Sequence, residues 1–91
     1  MENIKELAKL IKNINSEQDI YNFLLEILTE SELSTLSKRW QILDMLSNGI
    51  TQRDIAKELN VSLCKVTRGS KILKNKNAIV TKLIKEKINE N

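Results

Sequence analysis

The chain contains no histidine and no proline, a single cysteine and only two glycines. Without histidine, and with Cys64 as the lone thiol, no zinc site of the usual nitrogen–sulfur kind is expected and no internal disulfide can form. The same shortage leaves no convincing nucleophile and base pair. With no phosphate loop and no metal cluster either, an enzyme is the least expected class, and neither metal nor cofactor is expected. No apolar run approaches the roughly 20 residues that span a bilayer, so no membrane partner is expected. The segment Met1 to Leu10 alternates charge with apolar residues and lacks the apolar centre of a signal peptide, so the chain reads as cytoplasmic.

What is present is helix. With 41% hydrophobic and 30% charged residues, the 91-residue chain has the balance of one small folded domain, short of a generous core as a monomer. Ile4, Leu7, Leu10, Ile11 and Ile14 space as one apolar face. Ser16 to Asp19 is a capping-box-like start for a second helix through Tyr21, Phe23, Leu24, Leu25 and Leu28. Thr29 with Glu32 opens a longer third helix through Leu33, Leu36, Trp40, Leu43 and Leu46, which Gly49 stops. Thr51 with Asp54 caps a short fourth helix and Ser62 a fifth. Asn75 to Asn77 interrupts, and Ile79, Leu83, Ile84 and Ile88 form the stripe of a sixth. The expected fold is all-α with six helices. The apolar faces of the first two helices and the last exceed what so small a chain can cover, which points to a second copy.

Charge is uneven. The segment 51–76 holds seven basic residues, Arg53, Lys57, Lys65, Arg68, Lys71, Lys74 and Lys76, against Asp54 and Glu58, a balance of +5 within a chain of net charge +3. Such a patch on a helix pair is the footprint of phosphate binding, although lysine-rich solvated faces are also common. The same segment has helix-turn-helix spacing. Gln52 opens the first helix, small Ala56 sits where two helices cross, Asn60 occupies a turn that wants positive φ, and Val66 points back inward. Three residues after Val66 the inward face should carry another aliphatic residue. It carries Gly69, which costs roughly 1 kcal/mol inside a helix and is expected to leave a hole. Beside Arg68, that hole suggests room for a small apolar ligand with a negative end.

Thr67-Arg68-Gly69-Ser70 followed by Leu73 and Lys74, with Leu28-Thr29, Arg39, Gly49 and Thr51-Gln52-Arg53-Asp54-Ile55, resembles the Trp repressor family. The resemblance runs from about Leu28 to Lys74 and thins over residues 1–27, where only helical pattern is visible. It implies an intertwined homodimer with 1–50 as dimerisation core, 51–74 as helix-turn-helix and 76–91 as C-terminal helix. It implies a repressor that binds a palindromic double-stranded DNA operator with L-tryptophan as corepressor. The ligand residues it implies are Leu28, Thr29, Arg39, Arg68 and Gly69. Their chemistry suits an amino acid: Arg68 can pair with a carboxylate, and guanidinium planes such as that of Arg39 stack on an indole. The backbone near Leu28, with Thr29, would hold the polar end from the partner chain.

For DNA, Arg53 matches the family position that contacts guanine, whose N7 and O6 acceptors suit an arginine fork. Gln52, Thr67, Ser70 and Lys74 read as phosphate contacts, which position without specifying. Leu63, Cys64 and Lys65 stand at the amino end of the recognition helix, where helix-turn-helix proteins, the Trp repressor among the standard cases, reach base edges. Cys64 reads as a small apolar neighbour of DNA rather than a redox switch, since no second cysteine could resolve an oxidised form.

The chain departs from the family pattern in places. Ile72 stands where some members carry serine, Ala56 where some carry lysine, and Trp40 where a smaller aliphatic is expected. By its spacing with Leu36 and Leu43, Trp40 is expected in the core. Three other readings stay open on the residues alone. Arg39 and Arg68 could bind phosphate beside a merely weak point at Gly69. The same fold could serve a regulator that is ligand-independent or answers another ligand. A helical interaction module that binds no DNA is the remaining class.

Overall fold

The computed structural model describes residues 1–90, with side chains through 88. The described residues form six α-helices and no strand: α1 (Glu2–Lys12), α2 (Glu17–Ile27), α3 (Glu30–Ser47), α4 (Gln52–Leu59), α5 (Leu63–Lys74) and α6 (Ile79–Glu90). None of these helices is long and apolar enough to cross a membrane. Two compact units divide within α3, at Ser34 and Thr35.

The helix ends are fixed by short polar side chains at the positions where orphan backbone groups need partners. Ser16 accepts from the Asp19 amide (3.1 Å), Thr51 from Asp54 (3.2 Å) and Ser62 from Lys65 (3.3 Å). Thr29 and Glu32 form a reciprocal box: the Thr29 amide donates to Glu32 Oε1 (2.9 Å) and the Glu32 amide to Thr29 Oγ1 (3.1 Å). Hydrogen bonding to Thr29, first from its backbone amide and then from its side chain, holds the Glu32 carboxyl below its usual pKa. Two helices end in left-handed residues. Gly49, at φ 84°, closes α3 with its amide on the Leu46 carbonyl and the Ile50 amide on Met45. Asn60, at φ 54°, closes α4 the same way on Lys57 and Ala56.

In the unit Met1–Ser34, α1 and α2 have no fully buried residue. Leu7, Ile14, Phe23 and Leu24 are half-buried, while Ile4, Leu10, Tyr21, Leu25 and Ile27 are exposed. Leu28, expected inside α2, is instead its extended C-cap.

The second unit holds the core. Ile42 of α3, Ile55 of α4 and Val66 of α5 are buried together, with Met45, Leu46, Ala56, Leu59 and Val61 packed around them. Ile55 and Val66 are 0% exposed, each contributing about 1.5–3 kcal/mol from burial. The α3 stripe that does this was only partly visible in the sequence, because α3 is apolar on two faces. Ile42, Met45 and Leu46 serve the unit, while Leu36 remains exposed.

At Gly69 the structure corrects the expected hole. A Cβ built there would lie 2.9 Å from Ile42 Cγ2, 3.4 Å from Leu46 Cδ1 and 3.6 Å from Leu43 Cδ2. The glycine is a close approach of the α5 backbone to α3, and side chains of α3 fill the space. Trp40 is corrected as well: it is 43% exposed rather than core. Lys87 of α6 lies over its ring, 5.3 Å from the centroid, and pairs with Asp44 at 2.8 Å. Helix α6 is docked on α5 by Thr81, whose buried hydroxyl donates to the Ile72 carbonyl (3.1 Å), and its Ile84 is buried as well.

Two stability predictions follow from these contacts. Gly69→Ala gains about 1 kcal/mol of helix propensity, yet the added methyl meets the branch methyl of a stiff, buried isoleucine. The variant is therefore expected to melt below wild type, and Ile42→Leu, which removes that branch, to recover part of the loss in a double-mutant cycle. A melting temperature above wild type for Gly69→Ala alone would contradict the close approach. The Thr29–Glu32 box gives the second. Because the folded pKa of Glu32 is depressed, its contribution is present above the ordinary glutamate value of about 4.3 and is lost as pH falls through the folded value. Helicity of wild type should fray more on acidification over that window than that of Glu32→Gln.

Candidate DNA-reading and ligand site

Helices α4 and α5 with the Asn60 turn make a built helix-turn-helix, and one side-chain bond ties its two arms. Thr67 Oγ1 lies 2.9 Å from Gln52 Oε1 and 3.0 Å from the Leu63 carbonyl. Its single proton can go to only one of these at a time. The bond spans from the first residue of α4 to the middle of α5, so Gln52 and Thr67, expected on phosphate, are brought together and engage each other. Both are half-buried, as is Ser70.

The residues expected at base edges are presented outward. Leu63 is 48% exposed, and Arg53, Cys64 and Lys65 are exposed. Ser62 anchors the first turn of α5 on which three of them stand. Lys74 is exposed in the last turn of α5, where a cation suits the helix dipole. Among the described residues, none forms an ion pair with Arg53, Lys65 or Lys74. Cys64 is free and exposed.

The expected ligand residues fall in both units. Arg39, Arg68 and Gly69 belong to the second. Arg39 stands on the α3 stripe that continues through Ile42, Leu43 and Leu46, the three side chains that meet Gly69, and lies one turn before that crossing. Arg68 is the residue beside Gly69 on α5. Both guanidinium groups are on exposed residues, and no described residue forms an ion pair with either. Leu28 and Thr29 belong to the unit Met1–Ser34, where Leu28 is half-buried at the end of α2 and Thr29 caps α3. A shallow polar depression in that unit, lined by residues such as Asn13, Asp19, Phe23 and Glu26, contains none of the expected ligand residues.

Ile42 and the Trp40–Asp44–Lys87 cluster were missed from sequence. The spacing 39, 42, 43, 46 on one helix face was available as a signal for Ile42; nothing in the sequence links Lys87 to residues 43 positions earlier. Among the described residues, no group of three or more metal-ligating side chains comes together.

Comparison with known proteins matches nearly the whole sequence. A family described as Trp repressor protein matches residues 2–88, so the likeness extends through α1, α2 and α6, well beyond the motifs between Leu28 and Lys74. The Trp operon repressor homolog of Xylella fastidiosa is 36% identical over 72 residues, 78% of each chain. That of Mannheimia succiniciproducens is 34% identical over 86 residues, 93% of this chain and 82% of the relative. The homolog of Chlamydia caviae is 31% identical over 70 residues, 76% and 69% of the two chains. No solved structure matches. With nearly its whole length matched and a built helix-turn-helix, the chain belongs to the Trp repressor family, a family of transcriptional regulators.

Proposed function

We propose that the chain is a cytoplasmic transcriptional repressor that binds a palindromic DNA operator as a homodimer and takes L-tryptophan as corepressor. The observation that carries the DNA reading is the rigid helix-turn-helix, tied by the Thr67–Gln52 bond, within a segment of +5 balance. Seven cations on such a scaffold attract the duplex, and release of counterions makes the attraction salt-dependent. Gln52, Thr67, Ser70 and Lys74 would hold the phosphates, Gln52 donating through Nε2 while its Oε1 keeps the bond to Thr67. Arg53 would read a guanine.

The homodimer is supported by exposed Ile4, Leu10, Tyr21, Leu25 and Ile27, whose apolar surface needs a cover. A second copy supplies one of matching chemistry and places two reading heads about one DNA turn, roughly 34 Å, apart. The basic segment 51–76 weighs against a helical interaction module that binds no DNA.

The ligand reading rests on Arg39 and Arg68 flanking the α3–α5 crossing, with Leu28 and Thr29 contributed by the partner chain. Since Ile42, Leu43 and Leu46 already fill the space beside Gly69, tryptophan has to enter at the edge of the crossing and lever α5. This gives the ligand a mechanism: it favours whichever setting of α5 leaves room for the indole, and shifts DNA affinity by its differential affinity for that setting. A regulator of this fold that ignores tryptophan would show the same operator affinity with and without it.

Selection from a randomised duplex pool, run with and without L-tryptophan, tests the proposal. A palindromic site enriched only with L-tryptophan is the expected result, and enrichment of no sequence in either arm would contradict operator binding. In the recovered operator, Arg53→Ala should relax one symmetric base pair per half-site at a cost of about 1–3 kcal/mol. A uniform loss over all sequences would show that Arg53 touches only phosphate.

A further inference from the structure

The front of α5 carries a chemical pattern that specifies more than a DNA-binding surface. Taking buried Val66 as the inward direction, residues step by about 100° around the helix. Cys64 then lies at about 160°, almost opposite the core, with Leu63 at about 60° on one side and Lys65 at about 100° on the other. Thr67 falls on the same side as Leu63, at about 100°, and its hydroxyl meets Gln52 at the start of α4. The Leu63 side is therefore the α4 side, where Arg53 follows Gln52. Read across the reading head, the order is Arg53, Leu63, Cys64, Lys65: a cation, two apolar groups, a cation.

All four residues are exposed, and no described residue pairs with either cation. An exposed leucine at the first position of a recognition helix leaves apolar surface in water unless it meets apolar surface in the groove. The major groove offers one such group, the thymine C5-methyl, which apolar side chains contact. Lysine, a donor-only point charge, is matched by the guanine N7 and O6 acceptors. The rigidity of the strip comes from the Ser62 cap on the Lys65 amide and from the Thr67–Gln52 bond.

Resting on the proposed DNA reading, we infer that this strip selects an operator half-site in which a thymine methyl, held by Leu63 and Cys64, lies between two guanines, one read by Arg53 and one by Lys65. Leu63 and Lys65 are thus specificity-determining residues, distinct from the phosphate-binding set. Both are surface side chains, so their replacement leaves the core of Ile42, Ile55 and Val66 untouched.

The test uses the full-length chain with L-tryptophan present and the duplex recovered by selection. Replacing the central thymine by deoxyuridine deletes only the methyl; wild type should weaken about fourfold, the worth of one methyl-sized group removed from water. Leu63→Ala should bind the two duplexes alike. Lys65→Ala should lose preference at the second guanine by at least about fivefold while keeping the thymine preference. Binding of the operator should also protect Cys64 from alkylation by a maleimide. Recovery of a specific site lacking this pattern, or a Lys65→Ala loss that is equal on all duplexes, overturns the inference but leaves operator binding standing. Failure to bind any duplex at low salt overturns both.

Discussion

At Gly69 the α5 backbone meets the side chains of α3 with no side chain of its own between them, and the placement of α5 depends on that contact. Ile42 Cγ2 stands 2.9 Å from where a Cβ would be. A larger residue there requires α3 side chains or α5 itself to shift, and α5 carries Leu63, Cys64 and Lys65. The crossing also organises the candidate ligand residues. Arg39 lies one turn along the same α3 stripe and Arg68 is adjacent on α5, so a molecule held between these guanidinium groups acts directly on the contact that sets the helix.

The remaining structure secures the two ends of that helix. At the front, Ser62 caps its first turn and Thr67 reaches Gln52, making α4 and α5 one body around Ile55 and Val66. At the back, Thr81 takes the Ile72 carbonyl and Lys87 reaches Asp44 while covering Trp40. The ion pair is partly solvated and is worth less than about 1 kcal/mol; the buried hydroxyl and Ile84 anchor α6 more firmly. The unit Met1–Ser34 contrasts with this: neither α1 nor α2 has a fully buried residue.

Much of this was legible in the sequence because local chemistry decides it. Thr29, Thr51 and Ser62 announced their caps, Asn60 its left-handed turn and Gly49 the end of α3. Two misreadings share a cause. At Gly69 the sequence predicts a hole because glycine removes volume, but whether a neighbour fills that volume is decided by Ile42, Leu43 and Leu46 on another helix. Trp40 was placed in the core because it shares a period with Leu36 and Leu43; α3 is apolar on two faces, and periodicity does not say which face the chain itself covers. The motifs that carry the family resemblance begin at Leu28, whereas α1 and α2 offer only an apolar pattern that many helices share; the match over residues 2–88 adds them.

Tryptophan sensing at the α3–α5 crossing is open to a direct measurement. Calorimetric titration of the purified chain with L-tryptophan, with L-phenylalanine and indole as controls, reads this without interference from Trp40 fluorescence. Saturation at one L-tryptophan per chain, tighter than either control and weakened in Arg68→Ala, is the result predicted. Absence of heat at several protein concentrations and temperatures would contradict the ligand site and leave a regulator whose reading head is set by the α3 contact alone.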